Sequence, residues 1–318
     1  MTLDSIIEEI NSAENIVILT HENPDGDAIG SSLALYNGLK QLGKNVDVVI
    51  PEYSNIYKFL PNADDIKSEG KVASYDLAIA LDCGDIKRLN GFAKYFEDAN
   101  TKISIDHHSA NTMFADYNFV NPAAPACCQI LITVLEALGV IINKEIGTCL
   151  LTGIITDTGG FKYSGVTAET FEFTAELLNK GVKVSDIYKR VMQTISKTQF
   201  ELRRIAMNRI EFFEDGKITF TYITKEDEGK VNAGINDYDG IVEMGRDIEG
   251  VEVSIFFREK DDGYKISLRS NDYVNVSDIC LMFSGGGHIR AAGGSINLPF
   301  EQAKQKVIDE CKKYLKGE

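Results

Sequence analysis

Three side chains able to bind a cation stand within seven positions near the start of the sequence: His21, Asp25 and Asp27, in residues 20–30 (THENPDGDAIG). The preceding residues, 17–20 (VILT), are apolar and β-branched enough for a buried strand. Those after Gly30, SSLALYNGLKQLG, repeat apolar side chains at helical spacing and stop at Gly43. The three side chains then lie on a loop outside the carboxyl end of a strand, where open α/β sheets bind ligands. Pro24 and Gly26 bend that loop, which lets Asp25 and Asp27 point the same way. The plainer alternative is a turn in which the two aspartates only cap the helix. Three more acidic or histidine-rich turns follow, each after its own apolar run, and they favour chemistry. They are Asp82-Cys83-Gly84-Asp85, Asp106-His107-His108 and Asp157-Thr158-Gly159-Gly160.

The four histidines, His21, His107, His108 and His288, all lie in turns beside Asp or Gly. Oxygen and imidazole donors suit Mn²⁺, Mg²⁺, Fe²⁺ or Zn²⁺. The absence of Cys from the principal candidates argues against a structural zinc. Five carboxylates, Asp25, Asp27, Asp82, Asp106 and Asp157, crowded at strand ends would repel one another unless cations sat among them. Two metals about 3.5–4 Å apart would relieve the crowding and could clamp a phosphoryl oxygen for in-line attack. The residues alone therefore predict a two-metal phosphoester hydrolase.

The elements that must position these groups alternate. A helix over residues 1–15, strands over 16–20, 45–50, 75–81 and 101–105, and a helix at 127–138 imply an α/β fold with a mostly parallel sheet flanked by helices. Residues 51–71 are irregular or partly helical and could line a site. An amphipathic helix covers 167–180, and 185–213, free of Gly and Pro, is expected to be helical throughout as a connector. Beyond it, strands at 217–224, 251–258 and 263–270, a short helix at 276–283, a glycine-rich loop and a final helix make a smaller mixed-sheet α/β C-terminal domain. The expected division is 1–188, a connector at 189–213, and 214–318.

A chain of 318 residues suits two domains. Its net charge of −15 argues against gripping long DNA or RNA on a basic stripe. No apolar run reaches membrane-spanning length and no signal-type segment opens the chain, so a soluble, cytoplasmic protein with no membrane partner is expected. The six cysteines show no paired spacing and are expected to be reduced and mostly buried.

HENPDGD, LDCGD, DHH and GIITDTGGF resemble, in order, the four motifs of the DHH phosphoesterase superfamily, and GGGH resembles the phosphate-binding loop of the DHH-associated C-terminal domain. The length is most similar to the standalone group of nano-RNases (oligoribonucleases) and 3′-phosphoadenosine-5′-phosphate (pAp) phosphatases. The resemblance implies two divalent ions, Mn²⁺ foremost, with Mg²⁺, Fe²⁺ or Co²⁺ as alternatives. His21, Asp25 and Asp82 would hold one. Asp27, Asp82, His107 and Asp157 would hold the other, with Asp82 bridging. His108 would face the scissile phosphate and donate to its developing charge, and Asp106 would orient a histidine.

In the second domain, Gly285, Gly286, Gly287 and His288 would form the substrate loop. Arg258 and Arg269, on neighbouring strands of a hairpin, would reach an anion or stand as solvated edge charges. Arg88 is a further candidate. The implied partners are short RNA or DNA oligonucleotides, dinucleotides or pAp; oligomeric state, a homodimer included, is left open. Among rivals, a family II pyrophosphatase would carry a basic stretch where GGGHIRAAGG stands, and RecJ-type exonucleases would add an OB-fold. A cyclic or linear dinucleotide phosphodiesterase is hardly separable, and a non-catalytic nucleotide sensor would not need the full set of metal residues.

Overall fold

Short apolar segments without period-two alternation are buried on both faces, the pattern of strands in a parallel sheet covered by helices. In the computed structural model, which describes residues 2–50, 52–71, 74–163 and 165–316, such segments are the central strands of the first of two compact units, Met1–Thr194 and Ile195–Glu318. The first unit runs α1 (Leu3–Ser12), β1 (Asn15–Leu19), α2 (Gly26–Gln41), β2 (Asn45–Val48), β3 (Leu77–Leu81), α3 (Ala93–Glu97), β4 (Thr101–Asp106), β5 (Tyr117–Val120), α4 (Cys127–Ala137), α5 (Lys144–Asp157), α6 (Ala168–Asn179) and α7 (Val184–Tyr188).

Its five strands pair in parallel in the order β2-β1-β3-β4-β5. Leu19 lies opposite Ala80, and Leu81 opposite Ile105. The chain therefore leaves β1, β3 and β4 at one level, which sets His21, Asp82 and Asp106–His108 side by side. Ile16, Ile18, Ile79 and Ile105 face Leu33 of α2, Leu131 of α4 and Ile154 of α5 in one core layer. On the opposite face Val17, Leu19, Ala78 and Ala80 cover Leu89 and Phe96.

Helix α2 begins at Gly26, not after Gly30, so Asp27 is helical and Gly26 opens the helix rather than bending a loop. The glycines serve a close helix crossing. A Cβ on Gly26 would collide with the Thr156 side chain, one on Gly30 with the carbonyl oxygen of Cys149, and one on Gly153 with Cys128 Sγ and Asp27 Oδ1. The backbones of α2 and α5 approach at these positions, and this fixes the separation between Asp27 and Asp157.

The second unit runs α8 (Lys197–Met207), β6 (Glu211–Phe213), β7 (Ile218–Ile223), α9 (Lys225–Val231), α10 (Ile241–Arg246), β8 (Val253–Lys260), β9 (Gly263–Ser270), α11 (Val276–Leu281), β10 (Gly286–His288), β11 (Ala291–Ile296) and α12 (Phe300–Lys316). Its six strands form a mixed sheet, β10-β11-β9-β8-β7-β6, parallel only between β7 and β8. Ile279, Val307 and Ile308 pack on one face with Phe220 and Phe257. Leu202, Ile241 and Phe256 pack on the other.

Residues 185–213 are not helical throughout. A π-helical turn at Lys189–Gln193 ends the first unit, Thr194 is extended, and Ser196 starts α8 afresh through a capping box with Gln199. The stretch then closes in the short strand β6. Pro51, which opened the expected irregular stretch, lies outside the described residues. All six cysteines are free and buried. Among the described residues, no helix is long and apolar enough to cross a membrane.

Candidate metal centre

Each strand end delivers its own donor. His21 follows β1 and is buried, with its Nε2 3.7 Å from Asp82 Oδ2. Asp25 caps α2, its Oδ1 accepting from the Asp27 and Ala28 amides at 3.0 and 3.1 Å. Capping and cation binding are thus compatible, since these bonds leave Oδ2 available. Asp82 follows β3 and is only 2% exposed. Its φ of +52° is left-handed, a conformation that Asp tolerates better than most residues. Its second oxygen, Oδ1, lies 3.3 Å from His107 Nε2 and 3.5 Å from His108 Nδ1. The two oxygens of one carboxylate therefore face different groups.

His107 follows β4. Its Nδ1 lies 3.2 Å from the Ala124 carbonyl, which keeps a proton on that nitrogen and turns Nε2 towards Asp82 and towards Asp157 Oδ2 at 3.3 Å. Asp157 ends α5, and the chain then turns sharply through left-handed Gly159, Gly160 and Phe161. Three sets of side chains are close enough to share an ion: His21, Asp25 and Asp82; Asp27, His107 and Asp157; and Asp82, His107 and His108. All six residues expected to bind metal fall in these sets.

The donor chemistry fits divalent cations. Buried His21 Nδ1 and Asp82 Oδ1 have no hydrogen-bond partner, which is costly unless an ion or water satisfies such atoms. Burial, and next the neighbouring carboxylates, push Asp27 up to about 7 and Asp157 up to about 9. For Asp82 burial acts upwards, but His107 and His21 outweigh it and leave the carboxyl below its ordinary value. For His107 burial acts downwards, but Asp82 and Asp27 hold the imidazole up to about 10. The acids are crowded in a way that protons or cations must relieve.

A carboxyl raised on folding gives stability that is full below its ordinary value of 3.8 and is lost as pH rises through the folded value. The raised His107 acts in the same direction. Asp82, lowered, acts oppositely and only at acid pH. The cation-free protein should therefore lose stability between pH about 4 and about 9, and Mn²⁺ should restore more of it at the alkaline end. Thermal melts with and without Mn²⁺ at pH about 6 and about 8 read this directly. An increment in Tm that is equal at both values, or smaller at the higher, would show that these carboxyls do not meet the cation.

Asp106 lies outside the three sets. It is fully buried, accepts from the His107 amide at 2.8 Å, and holds His108 Nδ1 at 2.7 Å and Asn111 Nδ2 at 2.6 Å. The bond from Asp106 raises the His108 value, against burial. Asp27 is tied just as firmly. Its Oδ2 accepts from the Cys127 amide at 2.5 Å and its Oδ1 from the Cys128 amide at 2.9 Å. Helix α4 has Ala126 at its N-cap and no side-chain cap of its own, so Asp27 caps it from 100 residues away. Sequence reading missed these supports, Asn111 and the Ala124 carbonyl included. Arg88 is exposed, and its carbonyl accepts from the amide of Glu22, next to His21, at 2.8 Å.

In the second unit Arg258 lies opposite Lys265, while Arg269 lies opposite Ser254. The two share a face but sit four residues apart in register, roughly 13 Å along the strands. Neither is a solvated edge charge. Arg258 Nε donates to Glu228 at 2.7 Å, with its guanidinium 3.6 Å from the Tyr238 ring centre, and Arg269 Nε donates to Glu243 at 2.9 Å. In the glycine-rich loop, a Cβ on Gly285 would strike the Gly293 carbonyl, and one on left-handed Gly287 would strike Ala291 and Ala292. Packing on β11 accounts for these two glycines, whereas Gly286 has room. His288 ends β10 and is exposed.

The fold and donor set are those of an α/β protein with residues placed for metal binding, followed by a mixed-sheet unit. Residues 15–154 match the N-terminal domain of the DHH family and residues 215–317 match the DHHA1 domain. The chain is 34% identical to the bifunctional oligoribonuclease and PAP phosphatase NrnA of Thermus thermophilus, over 98% of this chain and 93% of that protein. It is 26% identical to the protein of the same name from Mycoplasma genitalium, over 98% of each. The crystal structure of an exopolyphosphatase-related protein from Bacteroides fragilis aligns with a TM-score of 0.90 at 31% identity, covering 98% of this chain and 96% of that one. This chain belongs to the DHH family.

Proposed function

We propose that this chain hydrolyses phosphoester bonds in very short oligoribonucleotides, in linear dinucleotides such as pApA, and in pAp. The observation that carries the reading is Asp82, whose two oxygens face two separate groups of donors. In this reading His21, Asp25 and Asp82 hold one divalent ion, and Asp27, Asp82, His107 and Asp157 hold the other, Mn²⁺ foremost. Bound there, such ions supply Lewis-acid polarisation of phosphoryl oxygens and a water of lowered pKa. The protein side chains supply the rest. His108, oriented by Asp106 at Nδ1, presents its other ring nitrogen as a donor to the charge developing on the phosphate. Asp27 and Asp25, each fixed by two backbone amides, hold their carboxylates in place before substrate arrives.

The second unit binds the nucleotide end through Gly285–Gly287, His288, Arg258 and Arg269, and the exposed Arg88 adds a cation in the first unit. The net charge of −15 supports a limit on substrate length, because a long strand gains few contacts and meets general repulsion. The likeness to the Thermus NrnA protein supports the same substrate class. The test is an Mn²⁺-supplemented assay on pApA, pGpG, a pentanucleotide RNA, pAp, cyclic di-AMP, pyrophosphate and an RNA of roughly 24 nucleotides. Turnover should be highest on fragments of two to five nucleotides, with pAp also cleaved. Equal efficiency on the long RNA, or cleavage of pyrophosphate alone, would sink the reading.

A further inference from the structure

The segment between β2 and β3, which the sequence marked as able to line a site, forms one wall of a cavity of about 760 Å³ in the first unit. The other wall is α7 and the π-helical turn that follows it. Lys58, Lys189 and Arg190 line this cavity, against a single acid, Asp186. No ion pair among the described residues engages any of the three cations. Arg258, Arg269, Lys225 and Lys304, by contrast, have carboxylate partners. Arg190 stacks over Phe59, 5.0 Å from guanidinium carbon to ring centre, and Ile56 adds exposed apolar surface beside them. Unpaired cations suit a phosphate, and a stacked guanidinium and ring suit a nucleobase. The volume is that of a small-ligand site.

The cavity is joined to the metal centre through the protein. Tyr188, the last residue of α7, packs over left-handed Gly160, three residues beyond Asp157, and Lys189 and Arg190 follow it directly. We propose that this cavity holds the phosphate and base of a substrate nucleotide beyond the bond being cut. It would act as a length-reading subsite that a pentanucleotide can fill and a dinucleotide cannot. The proposal rests on the phosphodiesterase reading given above.

The test compares 5′-phosphorylated pentaadenylate with pApA on the wild type, on a Lys189→Glu, Arg190→Glu double variant, and on Lys58→Glu from the opposite wall. All three substituted side chains are exposed, so folding should survive. The ratio of kcat/KM for pentaadenylate to that for pApA should fall about tenfold in Lys58→Glu, the scale of one lost charge-assisted contact, and further in the double variant, which loses two. The same fall should appear in the ratio of binding constants measured by fluorescence anisotropy. An unchanged ratio, or equal losses on both ligands, overturns the proposal. AMP that binds the wild type and not the variants while the ratio stays constant also overturns it, in favour of a separate nucleotide ligand. If neither substrate is cleaved by the wild type but the binding ratio still shifts, the phosphodiesterase reading fails and the subsite stands.

Discussion

Replacing Asp82 by asparagine should abolish turnover and release both metal ions together. Asparagine keeps the side-chain shape and is among the few residues that tolerate the left-handed backbone found here, φ +52°. The amide of residue 82 still donates to the Ile105 carbonyl, so the turn after β3 should hold. What disappears is a charge facing His21 through one oxygen and His107 and His108 through the other. Two sites lose a ligand at once, and kcat/KM should fall by at least about 10³-fold. Metal content per protein by plasma emission, read beside the circular dichroism spectrum, separates loss of ions from loss of fold. A folded variant that keeps both ions and near-normal kcat would rule out a bridging Asp82.

His108→Ala should behave differently. Both ions should stay, while kcat drops by about 10²–10³, the scale of one missing oxyanion donor, with little change in KM. The grounds are positional. His108 Nδ1 is engaged by buried Asp106, and the ring is 21% exposed, whereas the neighbouring His107 ring faces both Asp82 and Asp157. His108 nonetheless lies close enough to Asp82 to share an ion with it, so the metal count decides between the two roles. Loss of one ion, with normal turnover per loaded site, would make His108 a ligand and leave the phosphate without this donor.

Much of the centre was legible because it is built at strand ends. An apolar run followed at once by Asp or His is a local signal, and in a parallel sheet the carboxyl ends of neighbouring strands lie together whatever the loops do. His21, Asp82 and His107 meet for that reason. Contacts between distant residues were not legible. Nothing near Asp27 says that its carboxylate meets the amides of Cys127 and Cys128, and nothing near Gly153 says that Asp27 is what a side chain there would strike. Strand β5 was missed because Tyr117–Val120 is only half buried and shows no alternation. The break before α8 had a readable mark, Ser196 three residues before Gln199, but the lack of Gly or Pro outweighed it. The register that separates Arg258 from Arg269 depends on the whole hairpin, which composition does not reveal.

The cap that Asp27 provides for α4 has a spectroscopic side. The Cys127 and Cys128 amide protons sit in the apolar core, yet both end on a carboxylate of the candidate metal centre. Their resonance frequencies and their exchange with solvent must follow the charge state of that carboxylate, whether it holds a proton, is ionised, or meets a cation. Two backbone signals from the start of a hydrophobic helix therefore act as an internal gauge of occupancy at the site whose carboxylate they hold.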